Sequence, residues 1–402
     1  MKIIVIGGGP AGMIAAGMAS SSDHDVVLLE KNEKLGKKLY ITGKGRCNVT
    51  NDKDIEEFIS KTVRNGRFLY SAYYGFTNRD LMNFLESLGL KLKVEQGGRV
   101  FPQSDKASDV IRTLSRWLQK SGVEVKLHSE VIGITRNESG FVIETSKEKY
   151  ASDVVIVATG GLSYPSTGST GDGYRFADNF GIATTKMRPS LCPMDLVHPF
   201  PDLAGLTLKN VRLTLKQGKK EVSQFGDLLF THRGISGPIV FTLSAEEFSF
   251  LSANASLDLK PAISAETLDA RILREITQDP KKRLKSLARS LLPQAMVAHV
   301  LDQARLNPEK ISSELKREER KVLIDILKGF PLQIKALGRF EEAVVTRGGI
   351  DIKEINPSTM ECRKIPGLYF AGEVLDLDAY TGGYNLQIAF STGACAGRSI
   401  GK

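Results

Sequence analysis

The sequence predicts an α/β protein in which a Rossmann-like, parallel-sheet domain is assembled from both ends of the chain and interrupted by a second domain. Three observations predict it. Residues 2–6 (KIIVI) form a continuous apolar run that passes through glycines into a helical pattern from about Ala11 to Ser20, then into a second run, VVLLE at 26–30. Such a βαβ unit belongs to a sheet buried on both faces. After Pro189 the pattern changes to alternation and then to charge-rich helical spacing, and from about Gly338 the βα pattern returns.

Further elements follow in order. Helical periodicity covers 78–88 and 105–120, the second with Asp105 or Ser104 as its N-cap. Strand-like stretches follow at 123–127, 131–135, 141–145 and 154–157. Residues 206–216 (LTLKNVRLTLK) alternate as a half-exposed antiparallel strand does, and 254–259 is similar. From 264 to 328 the period is helical, broken at Pro280, Pro293 and Pro308. The chain closes with strands at 344–346 and 368–370 and a helix from about Asn385 to Ile400. The expected domains are therefore 1–190 plus 336–402, and an insert at 191–335 that is β-rich to about 262 and helical beyond.

Composition restricts the function classes. At 402 residues the chain is long enough for more than one core, and with 41% apolar and 25% charged residues it is an ordinary globular sequence. Its four cysteines lie far apart without a CxxC or a Cys/His cluster, so no metal site is expected. No apolar run has membrane-spanning length and the first run is too short for a signal peptide, which points to the cytoplasm and to no membrane partner. The oligomeric state is left open. The net charge of +9 favours encounters with anions. The insert holds 22 Lys and Arg against 17 Asp and Glu, but in KKRLK (281–285) and KREERK (316–321) the spacing fits a solvated helical face better than a phosphate track.

The first turn carries a dinucleotide fingerprint, Gly7-x-Gly9-x-x-Gly12, with Ala11 inside it. Gly7 permits the tight turn, Gly9 lets backbone approach a pyrophosphate, and Gly12 lets helix and strand pack closely, with the phosphates facing the helix N-terminus. Glu30, followed by Lys31, ends the second strand, where a carboxylate accepts hydrogen bonds from ribose hydroxyls. Strand before, helix after and acid at the right distance separate this from a generic glycine turn. FAD is favoured over NAD by two later features. ATGG at 158–161, with Thr159 and Gly160, follows an apolar strand where two-dinucleotide-fold flavoproteins return to the nucleotide, and GLYFAGE brings Gly372 and Glu373 to a late strand end where the acid would meet the ribitol. No second GxGxxG exists, so NAD(P)H would dock transiently as hydride donor.

The blocks GKKLYITGKGRCNVTN (36–51), GGRVFPQSDKASDV (97–110), FTHRGISGP (230–238) and AGEVLDLDAYTGGYNLQIAFSTGACAG (371–397) occur in order along nearly the whole chain. By these blocks the sequence resembles the YhiN/BaiN family of bacterial FAD-dependent oxidoreductases, which includes aminoacetone-oxidase-like flavoproteins. The resemblance implies an FAD domain from both chain ends and an insert with a β-barrel-like and a helical part. It implies that Lys38, Arg46 and Asn48 border the pyrophosphate and flavin, that Val131 meets the adenine through its backbone, and that Gly383 to Leu386 lie beneath the isoalloxazine. One departure is visible: where the family usually reads GGGRCN, Lys44 stands in the middle position. Gly382, Gly383 and Asn385 also make sense on their own, because amides at the start of an apolar helix favour the charge that gathers at N1 and O2 of a reduced flavin.

Two residues are candidates for proton delivery beside the flavin. Cys47 lies next to Arg46, a cation that would stabilise a thiolate, although a buried apolar cysteine is an equal alternative. His232 precedes a helix expected to start with Ser236 as N-cap and Pro238 in its first turn; a histidine buttressing that turn is the alternative. The resemblance implies a reductase of an activated C=C bond, in an enone-type small molecule or in uridine of ribosomal RNA. An oxidase of a small amine or ketone, and a non-enzymatic flavin-containing RNA-binding or assembly factor, are the competing expectations.

Overall fold

Ile3, Ile4, Val5 and Ile6 are all buried, and their strand, Lys2–Ile6, is the centre of the sheet. The computed structural model describes residues 1–20, 24–250 and 253–401. They form two compact units, Met1–Ser190 with Phe340–Lys402, and Leu191–Arg339.

In the first unit five parallel strands lie in the order Leu368–Phe370, Val154–Val157, Lys2–Ile6, Asp25–Leu29, Glu124–Lys126. The order explains the composition: a parallel strand flanked on both sides and covered on both faces has no position for a polar side chain. Each buried Ile, Val or Leu contributes roughly 1.5–3 kcal/mol relative to exposure. The helix Pro10–Ser20 begins one residue before its predicted start, with proline at its first position, where a missing N–H costs nothing. It crosses the closing helix, Tyr384–Ser399, at a seam of small residues. A Cβ on Gly393 would stand 2.4 Å from the Ala11 carbonyl oxygen, and one on Gly397 2.4 Å from that of Ala15, so both glycines allow backbone contact between the helices. Val131–Asn137, Gly140–Thr145 and Lys149–Ser152 form a separate antiparallel sheet; the last strand is only four residues long and is absent from the sequence reading, although its burial alternates.

The second unit contains a closed barrel whose strands run in the order Met194–Leu196, Gly234–Ser236, Lys220–Phe230, Thr207–Gln217, Asn254–Asp258, Phe330–Leu337, the last pairing with the first. The alternation read at 206–216 is the barrel's inside–outside pattern: Val211, Leu213 and Leu215 are buried, while Arg212 and Lys216 face out. Helices at Ala265–Gln278, Leu284–Arg289, Gln294–Gln303 and Arg317–Lys328 share the same core. Their basic runs are partly neutralised. Lys282 pairs with Glu275 at 3.3 Å, Lys310 with Glu319 at 2.7 Å, and Lys285 and Arg320 with Glu309 and Asp269.

Two capping expectations are corrected. The helix predicted over 105–120 starts at Ala107 with Lys106 as N-cap; Asp105 instead adopts φ +56° and gives its carboxylate to Lys93 at 2.6 Å and Arg46 at 2.8 Å. Ser236 is not an N-cap either, because it pairs with Leu229 in the barrel, and the helix Pro238–Ser244 starts from Gly237 at φ +102°. A glycine with that backbone serves the sharp exit from strand to helix, which a serine side chain cannot. Among the described residues no helix is long and apolar enough to cross a membrane, and no group of acidic, His and Cys side chains is arranged to hold a metal.

Candidate active site

The first turn is built as its glycines dictate. Gly7 has φ +106°, its N–H donates to the Leu29 carbonyl at 2.8 Å, and a Cβ there would meet the Ala158 oxygen at 2.5 Å. A Cβ on Gly12 would stand 1.9 Å from the Gly7 oxygen, so strand and helix close on each other with no room for alanine. Gly9 differs: nothing lies within 4 Å of its Cβ position, which leaves open space at the helix N-terminus for a pyrophosphate. Ala11, 4% exposed, lies under this opening, and its Cβ is what a side chain at Gly372 (φ +81°) would strike at 2.8 Å.

Glu30 is buried and already fixed, accepting from the Gly8 N–H at 2.7 Å and from the Asn32 amide and side chain at 2.8 and 2.7 Å. Oε1 is saturated by the two Asn32 donors, whereas Oε2 accepts from Gly8 alone and retains acceptor capacity for a ribose hydroxyl. The Ser129 N–H donates to the Glu30 carbonyl at 2.9 Å, which brings the segment leading to Val131 beside the same acid. Lys31 is drawn away to Asp172 at 2.7 Å.

The late strand end brings together groups far apart in sequence. Lys38 pairs with Glu373 at 2.6 Å and donates to Ser163 Oγ at 2.6 Å, while Ser163 Oγ and the Thr346 N–H donate to the other Glu373 oxygen at 2.7 and 2.9 Å. Burial alone would raise the Glu373 carboxyl, but the Lys38 charge and these hydrogen bonds outweigh it and hold the group below its ordinary value. Thr159 Oγ1, on the neighbouring loop with Gly160 (φ +74°), is a buried hydroxyl without a hydrogen-bond partner in the structure.

The closing helix starts from Gly383 at φ +100°, and Gly383 has no side chain to cap the first-turn amides. The Asn385 side chain does not reach outward: it accepts from the Ala379 N–H at 2.9 Å and donates to the Ala379 carbonyl at 2.7 Å, holding the preceding turn. Its backbone and that of Leu386 lie in the half-buried first turn of the helix, whose amides have no intrahelical acceptor.

Beside this turn lies a cavity of about 470 Å³ lined by Gly43, Lys44, Arg46, Asn48, Asn51, Gly97, Arg99, Phe101, Thr381, Gly382 and Tyr384, a size suited to a small-molecule site. Arg46 is not a free cation here. It pairs with Glu95 and Asp105 and covers the Phe101 ring, 4.1 Å from its centroid. Arg46 holds the Glu95 carboxyl below its usual range, and Lys93 and then Arg46 do the same to Asp105, so the network stays ionised at neutral pH. Asn51, which the sequence offered only as the end of a motif block, bridges the loop and the turn: its amide nitrogen donates to the Gly97 carbonyl at 3.1 Å and the Gly382 carbonyl at 2.9 Å. The Asn48 and Asn51 side-chain oxygens are buried acceptors without a partner in the structure. Tyr384 donates to Glu57 at 3.2 Å, and burial, then Glu57, push its phenol up to about 12.

The activated thiol expected at residue 47 is not formed. Cys47 is fully buried, Arg46 is turned to Glu95 and Asp105, and burial pushes the thiol up to about 12. Native protein at pH 8 should therefore incorporate iodoacetamide at Cys47 at a small fraction of the rate seen after unfolding; equal rates, measured by peptide mass spectrometry, would contradict the burial. His232 stands exposed on the turn before Gly234–Ser236 in the barrel unit, so the two sequence candidates belong to different units.

The profile of the HI0933-like protein Rossmann domain family matches residues 1–399. The chain belongs to this family. It is 33% identical over 402 residues to the ribosomal RNA dihydrouridine synthase of Escherichia coli, covering 98% of this chain and 96% of the relative. It is 31% identical over 412 residues to the 3-dehydro-bile acid delta(4,6)-reductase of Clostridium scindens, covering 100% and 99%. Among solved structures, the 3-ketosteroid-delta4-(5alpha)-dehydrogenase from Rhodococcus jostii superposes with a TM-score of 0.55 at 16% identity, covering 100% of this chain and 96% of that one, a likeness of fold. Family and relatives make the HI0933-like chain an oxidoreductase.

Proposed function

We propose that the chain holds one FAD and, with NAD(P)H as transient donor, reduces a C=C bond conjugated to a carbonyl, in an enone-type small molecule or in uridine of ribosomal RNA. The relatives' names support a single reaction type. Dihydrouridine is uridine saturated at C5=C6, and reducing a 3-dehydro steroid at positions 4 and 6 likewise adds hydride to carbons conjugated with a ketone. The observation that carries the reading is the pairing of an uncapped helix start at Gly383 with the 470 Å³ cavity that shares its turn.

The residues present fit the cofactor. Gly7, Gly9, Ala11 and Gly12 leave an open helix N-terminus for the pyrophosphate, Glu30 Oε2 would accept from the ribose, and the backbone at Val131 would meet the adenine. Thr159 carries a spare buried hydroxyl near Gly160, and Lys38, Gly372 and Glu373 form the rigid strand end where the ribitol would lie. Asn48 would border the flavin from the loop side, and the amides of Gly383, Asn385 and Leu386 would meet the ring. FAD, when bound, supplies the hydride carrier. The protein supplies a fixed positive helix end for the charge that accumulates on reduction. It also keeps the Tyr384 phenol protonated on the cavity wall at neutral pH.

Anaerobic mixing of the purified yellow protein with NADH or NADPH tests this. Bleaching of the visible flavin band, followed by recovery of colour on adding an enone or unmodified ribosomal RNA, is the expected result. A band that neither nicotinamide bleaches would remove the reductase reading, and rapid peroxide release without transfer to either acceptor would replace it with an oxidase.

A further inference from the structure

Lys44 occupies a backbone position that favours glycine. Its φ and ψ are +60° and +41°, and it lies between Gly43 at φ +56° and Gly45 at φ +85°. A β-carbon in the left-handed region costs about 1 kcal/mol or more relative to glycine. Backbone strain of this kind clusters at ligand-binding walls, where the side chain has a use.

The cavity's cations are not equivalent. Arg46 spends its charge on Glu95 and Asp105. Lys44 is exposed and, among the described residues, has no ion-pair or hydrogen-bonding partner. Arg99 is 48% exposed on the same wall; its Nε donates to the Gln96 carbonyl at 3.2 Å, and Glu95 is no nearer than 4.0 Å. Two ammonium or guanidinium groups therefore stand at a cavity whose lining includes Phe101 and Tyr384. Aromatic walls suit a flat conjugated acceptor, and the cations suit an oxyanion held away from the reacting bond.

We propose that Lys44, assisted by Arg99, is the specificity determinant for acceptors that carry a carboxylate or phosphate, binding that oxyanion at the cavity. This rests on the reductase reading in that the cavity receives the acceptor. Lys44 is a binding residue with no part in hydride or proton transfer, so its effect falls on KM rather than kcat. Because the pair is solvent-exposed, the preference weakens as salt is raised.

The test uses flavin-loaded wild type, Lys44→Met and Lys44→Gly. Lys44→Met keeps the backbone burden and removes the charge; Lys44→Gly removes both and should melt slightly higher than wild type. Binding is read from perturbation of the oxidised flavin spectrum, which needs no turnover, with two matched pairs: a 3-oxo-4-ene steroid carboxylic acid against its methyl ester, and uridine 5′-monophosphate against uridine. The expected result is a preference for the charged member of at least one pair that falls about fivefold in both variants and shrinks with salt more steeply in wild type than in the variants, where Arg99 alone remains. Selectivity in the steroid pair alone assigns a carboxylate, and in the uridine pair alone a phosphate. Unchanged preference in both variants overturns the proposal, and so does loss of flavin from Lys44→Met, since the lysine would then serve the cofactor. Charge-selective binding without bleaching by NAD(P)H refutes the reductase reading while this assignment stands; reduction without charge selectivity does the reverse.

Discussion

Gly383→Ala should purify nearly colourless. The residue stands at φ +100°, and a Cβ there would lie 2.3 Å from the Thr50 carbonyl oxygen and 2.4 Å from its carbon. Thr50 cannot step aside cheaply. Its hydroxyl donates to Gln387 Oε1 at 2.7 Å, and Gln387 donates in turn to the Phe76 carbonyl at 3.2 Å and to Ser391 Oγ at 2.9 Å, all buried. The left-handed backbone adds about 1 kcal/mol and the overlap of order 1–3 kcal/mol more, so the helix start shifts rather than the strand. At 1.4 kcal/mol per factor of ten, relief of this strain by a helix start that gives up its contacts with the ring lowers flavin affinity by roughly thirty- to several-hundredfold. The ratio of visible to ultraviolet absorbance after gel filtration measures it. Gly75→Ala is the matched control, since nothing lies within 4 Å of that Cβ position. A yellow Gly383→Ala protein with wild-type flavin content would show that the helix start does not hold the ring.

What could be read from the sequence was whatever depends on neighbours in the chain. KIIVI, the glycine turn and Glu30 lie within thirty residues, and each constrains its own backbone or its own strand end, so periodicity and spacing suffice. Two of the six barrel strands, Thr207–Gln217 and Asn254–Asp258, announced themselves by alternation for the same reason, and the other four did not. What failed or was missed depends on partners remote in sequence. Lys38 and Glu373 are 335 positions apart, and no local pattern says that one neutralises the other. Asp105 has the composition of an N-cap, yet Arg46, 59 residues earlier, and Lys93 claim its carboxylate. The same pairing removes the cation on which a Cys47 thiolate depended. Asn51 is a sharper case: an asparagine's value lies in which two carbonyls it bridges, here Gly97 and Gly382, and a sequence states the donor without its acceptors. Lys44 was legible as a departure from the family's glycine, while its left-handed backbone and open ammonium were not.

Removing Lys38 should cost more stability than any other single change at the strand end, and the cost should depend on pH in a direction opposite to ordinary acid denaturation. The Lys38 and Glu373 side chains are 21% and 19% exposed, so neither charge is well solvated without the other. In the wild type the folded Glu373 carboxyl lies below its unfolded value near 4.5, so its stabilisation is fully present above that pH and disappears as pH falls through the folded value. In Lys38→Met burial acts with only neutral hydrogen bonds against it, and the folded carboxyl moves above the unfolded value. The carboxyl then opposes folding as pH rises past 4.5, because ionisation favours the unfolded chain. Breaking one side of such a pair costs about 3 kcal/mol at neutral pH. The deficit in thermal midpoint relative to wild type should be large at pH 7 and shrink toward pH 4, where the variant's carboxyl is protonated. Lys38→Met with Glu373→Gln should recover most of the loss, since an amide can still accept from Ser163 and Thr346 without carrying charge. A deficit that stays constant across this range, or a double variant no more stable than the single, would mean that Lys38 acts through packing and that the buried charge pair does not hold the strand end.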